Sequence, residues 1–137
     1  RQAARVVPQA ARDGDLVYAV GTDRSTYYRI YLAGRPVKVL AINVKPARDA
    51  GRRSAPETFT STFIDVLEEE VRAVESLGGR CLIDHWILEG KISTSRLTSG
   101  LDRAEFNELL KSRFRIVPIA TQPEGQFYEL RAGHPDE

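Results

Sequence analysis

The chain of 137 residues has no methionine, a single cysteine and no long apolar run. Because Cys81 stands alone, the chain cannot form an internal disulfide and supplies no cysteine-rich metal site. No stretch approaches the roughly 20 consecutive apolar residues that a bilayer-spanning helix requires, and no signal-type segment opens the chain. These absences predict that the sequence, as it stands, is a soluble domain.

The missing methionine includes the initiator, since the sequence begins at Arg1. We therefore interpret the sequence as a piece of a longer protein, in which membrane segments could lie outside this piece. The alternative is a methionine-poor natural protein from which a tag has been trimmed.

Neither positive nor negative charge predominates, because 20 Lys and Arg residues are balanced by 19 Asp and Glu residues. A net charge of +1 does not create the basic field of a nucleic-acid-binding protein, so no such partner is expected. The length and a hydrophobic content of 42% are typical of one globular domain. We predict a lead-in segment at 1–12, a single domain at 13–131 and a polar tail at 132–137.

The first clear pattern is a strand, turn and helix between Asp15 and Leu32. The apolar run at 16–20 predicts a strand, and Asp23 can cap the helix that follows. The aliphatic and β-branched run at 37–44 predicts a second strand. A strand, a helix of about ten residues and a strand form a right-handed βαβ unit, so these strands should be parallel.

The rest of the chain continues this alternation. Ser54 and Glu57 match a capping box that opens a long amphipathic helix, and Asp102 and Glu105 match a second box. Pro118 indicates an edge strand or a bulge. Further predicted elements are strands at 80–84, 115–120 and 126–131, a helix at 102–113, a basic loop at 45–56 and a polar loop at 91–100.

These elements predict an α/β fold, specifically a three-layer α/β/α sandwich of Rossmann-like type. The expected sheet is mostly parallel, with four or five strands and a C-terminal antiparallel hairpin.

The carboxyl ends of parallel strands meet at one edge of a sheet, where ligands usually bind. Residues that follow the predicted strands, together with cations of the basic loop, are therefore the candidate binding residues. They are Thr22, Asp23, Arg24, Ser25, Thr26, Lys45, Arg52, Arg53, Asp84 and His85, with Asn43, Thr121 and Gln122 on the same edge.

The turn at 21–26 could bind a phosphate through backbone N–H groups at a helix N-terminus, with Arg24 as the counter-charge. It lacks the remaining glycines of G-x-G-x-x-G and the lysine of a P-loop. The alternative is that Asp23 only caps a helix and Arg24 is solvated.

Asp84 and His85 place an acid beside a base, with Cys81 nearby. Four residues of strand span about 13 Å, which is too far for a direct Cys–His hydrogen bond. We therefore predict that Cys81 is a core residue and His85 a hydrogen-bonded residue at the end of a strand.

Asp13-Gly14-Asp15 matches the D-x-D motif by which many sugar-nucleotide transferases hold a metal. The motif precedes the first strand, away from the expected cleft, and is predicted to be a turn. No other spacing of His, Cys, Asp or Glu indicates a metal centre, and no cofactor is expected.

The basic loop carries Lys45, Arg48, Arg52 and Arg53, which could hold a phosphate or an anionic lipid surface. A solvated loop is the alternative. The loop has no interleaved aromatic residues, which is a second reason to expect no nucleic acid.

Turn glycines and core aromatics recur in short motifs along most of the chain. The motifs are Gly14-Asp15-Leu16-Val17-Tyr18, Tyr27-Tyr28, Leu32-Ala33-Gly34-Arg35-Pro36, Leu101-Asp102, Arg113-Phe114, Val117-Pro118-Ile119 and Phe127-Tyr128-Glu129-Leu130. Their order resembles the C-terminal soluble domain of GT-C type bacterial membrane glycosyltransferases, which take sugars from polyprenyl phosphate carriers. The basic loop has no counterpart in that pattern.

The resemblance implies a noncatalytic, extramembrane domain on the extracytoplasmic face of a bacterial membrane, joined to the remainder of a membrane protein chain. The catalytic acid of that family lies between membrane helices, so no residue here inherits a catalytic role, and whether the chain is part of an enzyme stays open. One alternative is a stand-alone, cytoplasmic, Rossmann-like phosphate- or nucleotide-binding protein, with or without enzyme activity. A protein interaction module is the other.

Overall fold

A five-stranded sheet organises the computed structural model, which describes residues 11–120 and 127–133. The strands are β1 (Leu16–Ala19), β2 (Lys38–Ala41), β3 (Cys81–Asp84), β4 (Phe114–Ala120) and β5 (Phe127–Ala132). The helices are α1 (Thr22–Tyr31), α2 (Lys45–Arg53), α3 (Phe59–Ser76), α4 (His85–Leu88) and α5 (Arg103–Arg113). Short 3-10 helices occupy Pro56–Thr58 and Arg96–Thr98. The predictions for residues 1–10 and 134–137, and for Thr121 and Gln122, lie outside the described residues.

The strand order is β2-β1-β3-β5-β4. Strand β1 pairs in parallel with β2 and β3, whereas β5 pairs antiparallel with both β3 and β4. The α/β class, the parallel βαβ unit and the C-terminal hairpin are thus confirmed. The expectation of a mostly parallel sheet is corrected to a mixed sheet, because β5 inserts between β3 and β4.

Alternation along the strands divides the apolar core into two clusters. Leu16 and Tyr18 belong to the cluster that contains Phe63 and Leu67 of α3. Val17 and Ala19 belong to the second cluster, which includes Tyr28 of α1 and Leu32, the C-cap of that helix. The five-residue apolar run therefore reflects a strand that is buried on both faces.

The basic segment that follows β2 is a helix, α2, and not the predicted loop. Pro46 lies in its first turn, where a missing N–H costs nothing, and Ala47 and Ala50 are buried one turn apart. Small side chains thus form the buried face of α2, which is why the segment shows no large-residue periodicity.

The two predicted capping boxes differ in outcome. Asp102 Oδ1 accepts a hydrogen bond from Glu105 N at 3.0 Å, so the start of α5 is confirmed. The box of Ser54 and Glu57 is wrong, because Ser54 Oγ donates to Ala50 O at 2.8 Å and closes α2 instead. The long helix itself is confirmed as α3, which begins at Phe59 after a 3-10 turn.

The hairpin agrees with the expectation for Pro118. Strand β4 is outermost in the sheet, and its register with β5 shifts between Pro118 and Ala120. Pro118 has no N–H to donate, and on an edge strand such as β4 this loss is tolerated. Among the described residues, none of the helices combines the length and the apolar character needed to cross a bilayer.

Candidate functional site

A polar cleft lies at the carboxyl edge of β1 and β2, as the βαβ topology predicts. Its volume is about 380 Å³. Its lining comprises Val20, Gly21, Thr22, Asp23, Arg24, Asn43, Ser93 and Thr94. The first three predicted binding residues, at 22–24, therefore share one cavity with Asn43.

The start of α1 forms one wall of this cleft. The N-cap is Gly21, not Asp23, and no side chain caps the helix among the described residues. Asp23 lies in the first turn, and both Asp23 and Arg24 line the cleft. The first N–H groups of a helix have no intrahelical partner, and here they remain available to a ligand.

Ser25 and Thr26, two more of the predicted binding residues, are engaged within α1. Ser25 Oγ donates to Thr22 O at 2.8 Å and Thr26 Oγ1 donates to the same oxygen at 3.1 Å. Ser25 is also buried. Neither residue lines the cleft, because each hydroxyl turns back onto its own helix.

Asn43, two residues after β2, lines the cleft and is 5% exposed. Its Nδ2 donates to Ser93 O at 3.2 Å, and its main-chain oxygen accepts from Ser95 Oγ at 3.3 Å. Its Oδ1 is buried and has no partner among the described residues. A buried amide oxygen without a donor is costly, so a ligand hydroxyl or amino group that supplied one would be favoured.

Asp84 lies at the end of β3, next in the sheet to β1, and is 2% exposed. Its Oδ1 accepts from Ile87 N at 3.2 Å and thereby caps α4, while Tyr28 Oη lies 3.5 Å from Oδ2. Burial raises the pKa of the Asp84 carboxyl, against the opposing effects of the Ile87 N–H and of the His85 and Arg24 charges. Burial, followed by the Asp84 charge, also raises the pKa of the Tyr28 phenol.

The charge of Arg24 acts on both groups, since it opposes the rise of the Asp84 pKa and of the Tyr28 pKa. Arg24 therefore links the cleft electrostatically to the buried acid at the next strand end. The mutual placement of these three groups follows from the parallel pairing of β1 with β3.

His85 begins α4 directly after β3 and is half-buried. Its ring centroid lies 4.4 Å from that of Trp86, and its Nδ1 is buried without a partner among the described residues. Cys81 is fully buried, as predicted, and burial raises the pKa of its thiol. A buried thiol of this kind is not a nucleophile.

The predicted cations after β2 are separated from the cleft at 21–24. Lys45 Nζ binds Glu70 Oε2 at 2.9 Å and Asp49 Oδ2 at 3.1 Å. Arg53 pairs with Glu69 at 2.7 Å. Arg52 lines a different cavity. Helix formation at α2 thus directs these side chains away from the cleft.

Ser93 and Thr94, which border the cleft, were not among the predicted binding residues. Their segment carried only the signal of a polar loop. Ser93 N donates to Val20 O at 2.9 Å, which brings the segment against the end of β1. No spacing in the sequence predicts that contact.

Within the described residues, no group of three or more His, Cys, Asp or Glu side chains could hold a metal ion. Asp15 of the D-x-D motif is 2% exposed and bonded to Arg80 Nη2 at 2.7 Å. It accepts further hydrogen bonds from Arg12 N at 2.8 Å and Arg80 N at 3.2 Å. The Asp15 carboxylate is therefore engaged by the backbone and by the Arg80 side chain.

The fold and the cleft define an α/β protein with a polar cavity beside a helix N-terminus. No protein-family model, no curated protein sequence and no solved structure matches this chain.

Proposed function

We propose that this chain is a noncatalytic α/β domain that binds an organic phosphate with hydroxyl groups, such as a nucleotide or a sugar phosphate. The observation that carries the proposal is that the uncapped start of α1 shares one cleft with Asn43, whose buried Oδ1 has no partner among the described residues. The helix N-terminus and Arg24 favour an anionic group. Asn43 Oδ1 and the Asp23 carboxylate favour hydroxyl donors on the same ligand.

The noncatalytic character of the proposal rests on the reactive side chains of β3, the strand next to β1. The cysteine is buried in the core and the acidic Asp84 already caps α4. An arrangement of a nucleophile hydrogen-bonded to an oriented base, which covalent catalysis needs, is missing from the described residues.

The experiment is a calorimetric titration of the chain, in separate runs, with uridine diphosphate, glucose 1-phosphate and inorganic phosphate. Arg24→Gln removes the counter-charge. Thr22→Pro removes one N–H donor at the first helical position, where proline is compatible with a helix. We expect each change to weaken binding by about tenfold or more, the loss typical of a charge-assisted hydrogen bond.

Arg115→Gln is the matched control, because Arg115 is exposed on the outermost strand β4, outside the cleft. It should bind as the unmodified chain does. If none of the three probes binds, or if Arg115→Gln weakens binding as much as Arg24→Gln, the cleft is not an organic phosphate site.

We also propose that the domain is Rossmann-like and attached to a polyprenyl-phosphate-sugar-dependent membrane glycosyltransferase, on the extracytoplasmic face. The three-layer arrangement is supported by the two core clusters on opposite faces of the sheet. The attachment is supported by the places of the resembling motifs: Gly34 follows α1 with φ 81°, Asp102 caps α5 and Phe114 begins β4. The test is the full reading frame, which should encode several upstream segments of about 20 apolar residues.

A role as an interaction module is a third proposal, supported by one feature of α1. Tyr27, Ile30 and Tyr31 are 36%, 68% and 44% exposed and lie on one face of the helix, with the two tyrosine rings 5.2 Å apart. Exposed aromatic residues are enriched in protein interfaces. Tyr27→Ser/Tyr31→Ser should abolish any self-association or partner binding without weakening phosphate binding at the cleft.

A further inference from the structure

A second cavity, of about 400 Å³, lies between α2 and the segment that contains the 3-10 helix at Arg96–Thr98. Three arginines border it, Arg48 and Arg52 from α2 and Arg96 from the 3-10 helix. Ala55, Pro56 and Leu97 contribute exposed or half-buried apolar lining, whereas its other apolar residues, Ala47 and Phe59, are buried. We call this cavity the arginine groove. It shares no lining residue with the cleft at Thr22 and Asn43.

The three arginines of the groove have no hydrogen-bonded or ion-paired acid among the described residues, and no Asp or Glu lines the groove. The other cations of α2 behave differently, since Lys45 pairs with Glu70 and Arg53 with Glu69. Arg48 and Arg52 are four residues apart on one helix face, where like charges repel. The fold thus concentrates unneutralised positive charge at one place, while it neutralises the neighbouring cations.

We propose that the arginine groove binds the phosphate of an anionic lipid headgroup. Guanidinium groups bind phosphate oxygens in a bidentate manner, and the positive charge of three of them around one cavity attracts an anionic headgroup. The apolar lining would contact the glycerol and the first carbons of the acyl chains. The volume of the groove lies within the range of small-molecule sites.

The lining favours a lipid headgroup over a nucleotide. Phe59 is only 7% exposed, so it offers no open ring face on which a base could stack. The two hydroxyls of the groove are engaged as donors, Ser54 Oγ to Ala50 O and Ser99 Oγ to Arg96 O. Neither hydroxyl therefore has a proton left to donate to a ribose.

This inference goes beyond the proposed cleft function and uses different residues, so the two can fail separately. The groove variant is Arg48→Gln/Arg52→Gln/Arg96→Gln. The control variant is Lys38→Gln/Lys111→Gln/Arg115→Gln, which removes the same number of charges from exposed residues on β2, α5 and β4. Both variants therefore have the same net charge.

The first measurement is calorimetric binding of dihexanoylphosphatidic acid, a water-soluble anionic lipid, compared with inorganic phosphate. We expect the lipid to bind at least about tenfold more tightly than phosphate, because it also covers the apolar lining. We expect the groove variant to lose about 100-fold, since each cation near an acidic headgroup contributes about fivefold. The control variant should stay within about threefold of the unmodified chain.

The second measurement is co-sedimentation with phosphatidylglycerol vesicles and with neutral phosphatidylcholine vesicles. The unmodified chain and the control variant should sediment with the anionic vesicles only, and the groove variant with neither. The proposal is overturned if both variants lose binding equally, or if inorganic phosphate binds as tightly as the lipid. Binding of the soluble lipid without binding to anionic vesicles would also overturn it, because the ligand would then be a free organic phosphate.

Discussion

Gly21 and Ser93 approach each other so closely that a Cβ atom on Gly21 would lie 2.3 Å from Ser93 Oγ and 2.6 Å from Ser93 Cβ. The approach is maintained by two hydrogen bonds of the Ser93 main chain, from its N to Val20 O and from Asn43 Nδ2 to its O. The backbone of Gly21 is extended, with φ −169°, so glycine is required here by space and not by conformation. This contact sets the distance between two walls of the cleft.

Substitution of Gly21 by alanine should therefore destabilise the domain and weaken ligand binding at the cleft. We expect a loss of about 1–3 kcal/mol in the free energy of unfolding, measured by urea denaturation, because the new methyl group overpacks against Ser93. Gly51→Ala is the control, since nothing lies within 4 Å of its Cβ position in α2, and it should be neutral or stabilising. Gly21→Ala/Ser93→Gly should recover most of the loss; failure to recover would show that Ser93 is not the obstacle.

The buried Asp84 predicts a specific pH dependence of stability. Because its pKa is raised in the folded state, its contribution to stability is fully present below the unfolded carboxyl pKa, near 3.9, and is lost as the pH rises through the folded pKa. Asp84→Asn retains an acceptor for Ile87 N and removes the charge. The variant should therefore gain stability relative to the unmodified chain as the pH rises from about 4.

Urea unfolding at a series of pH values measures this difference directly. It should increase with pH and level off above the folded pKa of Asp84. A difference that does not change with pH would mean that Asp84 titrates alike in the folded and unfolded states.

Removal of Arg80 should be among the more damaging single substitutions, because its partner Asp15 is 2% exposed. We expect Arg80→Met to cost about 3–5 kcal/mol of unfolding free energy, since it leaves a buried carboxylate without its counter-ion. Arg72→Met removes an exposed partner of Glu68 and should cost less than about 1 kcal/mol. Asp15→Asn/Arg80→Met should be more stable than Arg80→Met alone, and equal stability would argue against an unpaired charge as the cause.

Most elements of the fold could be predicted from the sequence, because their signals are local. Asp102 caps α5 through a hydrogen bond to a residue three positions away, and β1 is an apolar run buried on both faces. Helix α2 was not predicted, because its buried face consists of Pro46, Ala47 and Ala50, whose small side chains give little periodic signal. The position of β5 between β3 and β4 depends on long-range pairing, which local patterns do not encode.

The candidate site was predictable to the same extent. The βαβ topology places Thr22, Arg24 and Asn43 at one edge, and the structure brings them into one cleft. The contribution of Ser93 depends on its contact with Val20, so the sequence carried no sign of it. Lys45 does not line this cleft, and its ammonium group pairs with Glu70 of α3.

The last prediction concerns Tyr18, whose buried hydroxyl donates to the Glu70 carboxylate that also pairs with Lys45. Burial raises the pKa of Tyr18 well above its usual value, so the phenol stays a donor at all ordinary pH values. Tyr18→Phe should cost about 1 kcal/mol of unfolding free energy, whereas Glu70→Ala should cost about 2–3 kcal/mol because it leaves a buried hydroxyl unpaired. The double variant should therefore cost less than the sum of the two, by about 1 kcal/mol in a double-mutant cycle.

The control is Glu69→Ala, which breaks only the exposed pair with Arg53 and should cost under about 1 kcal/mol. Strict additivity of Tyr18→Phe and Glu70→Ala would mean that the hydroxyl and the carboxylate act independently, and that α3 is held on the sheet at this point by apolar packing alone.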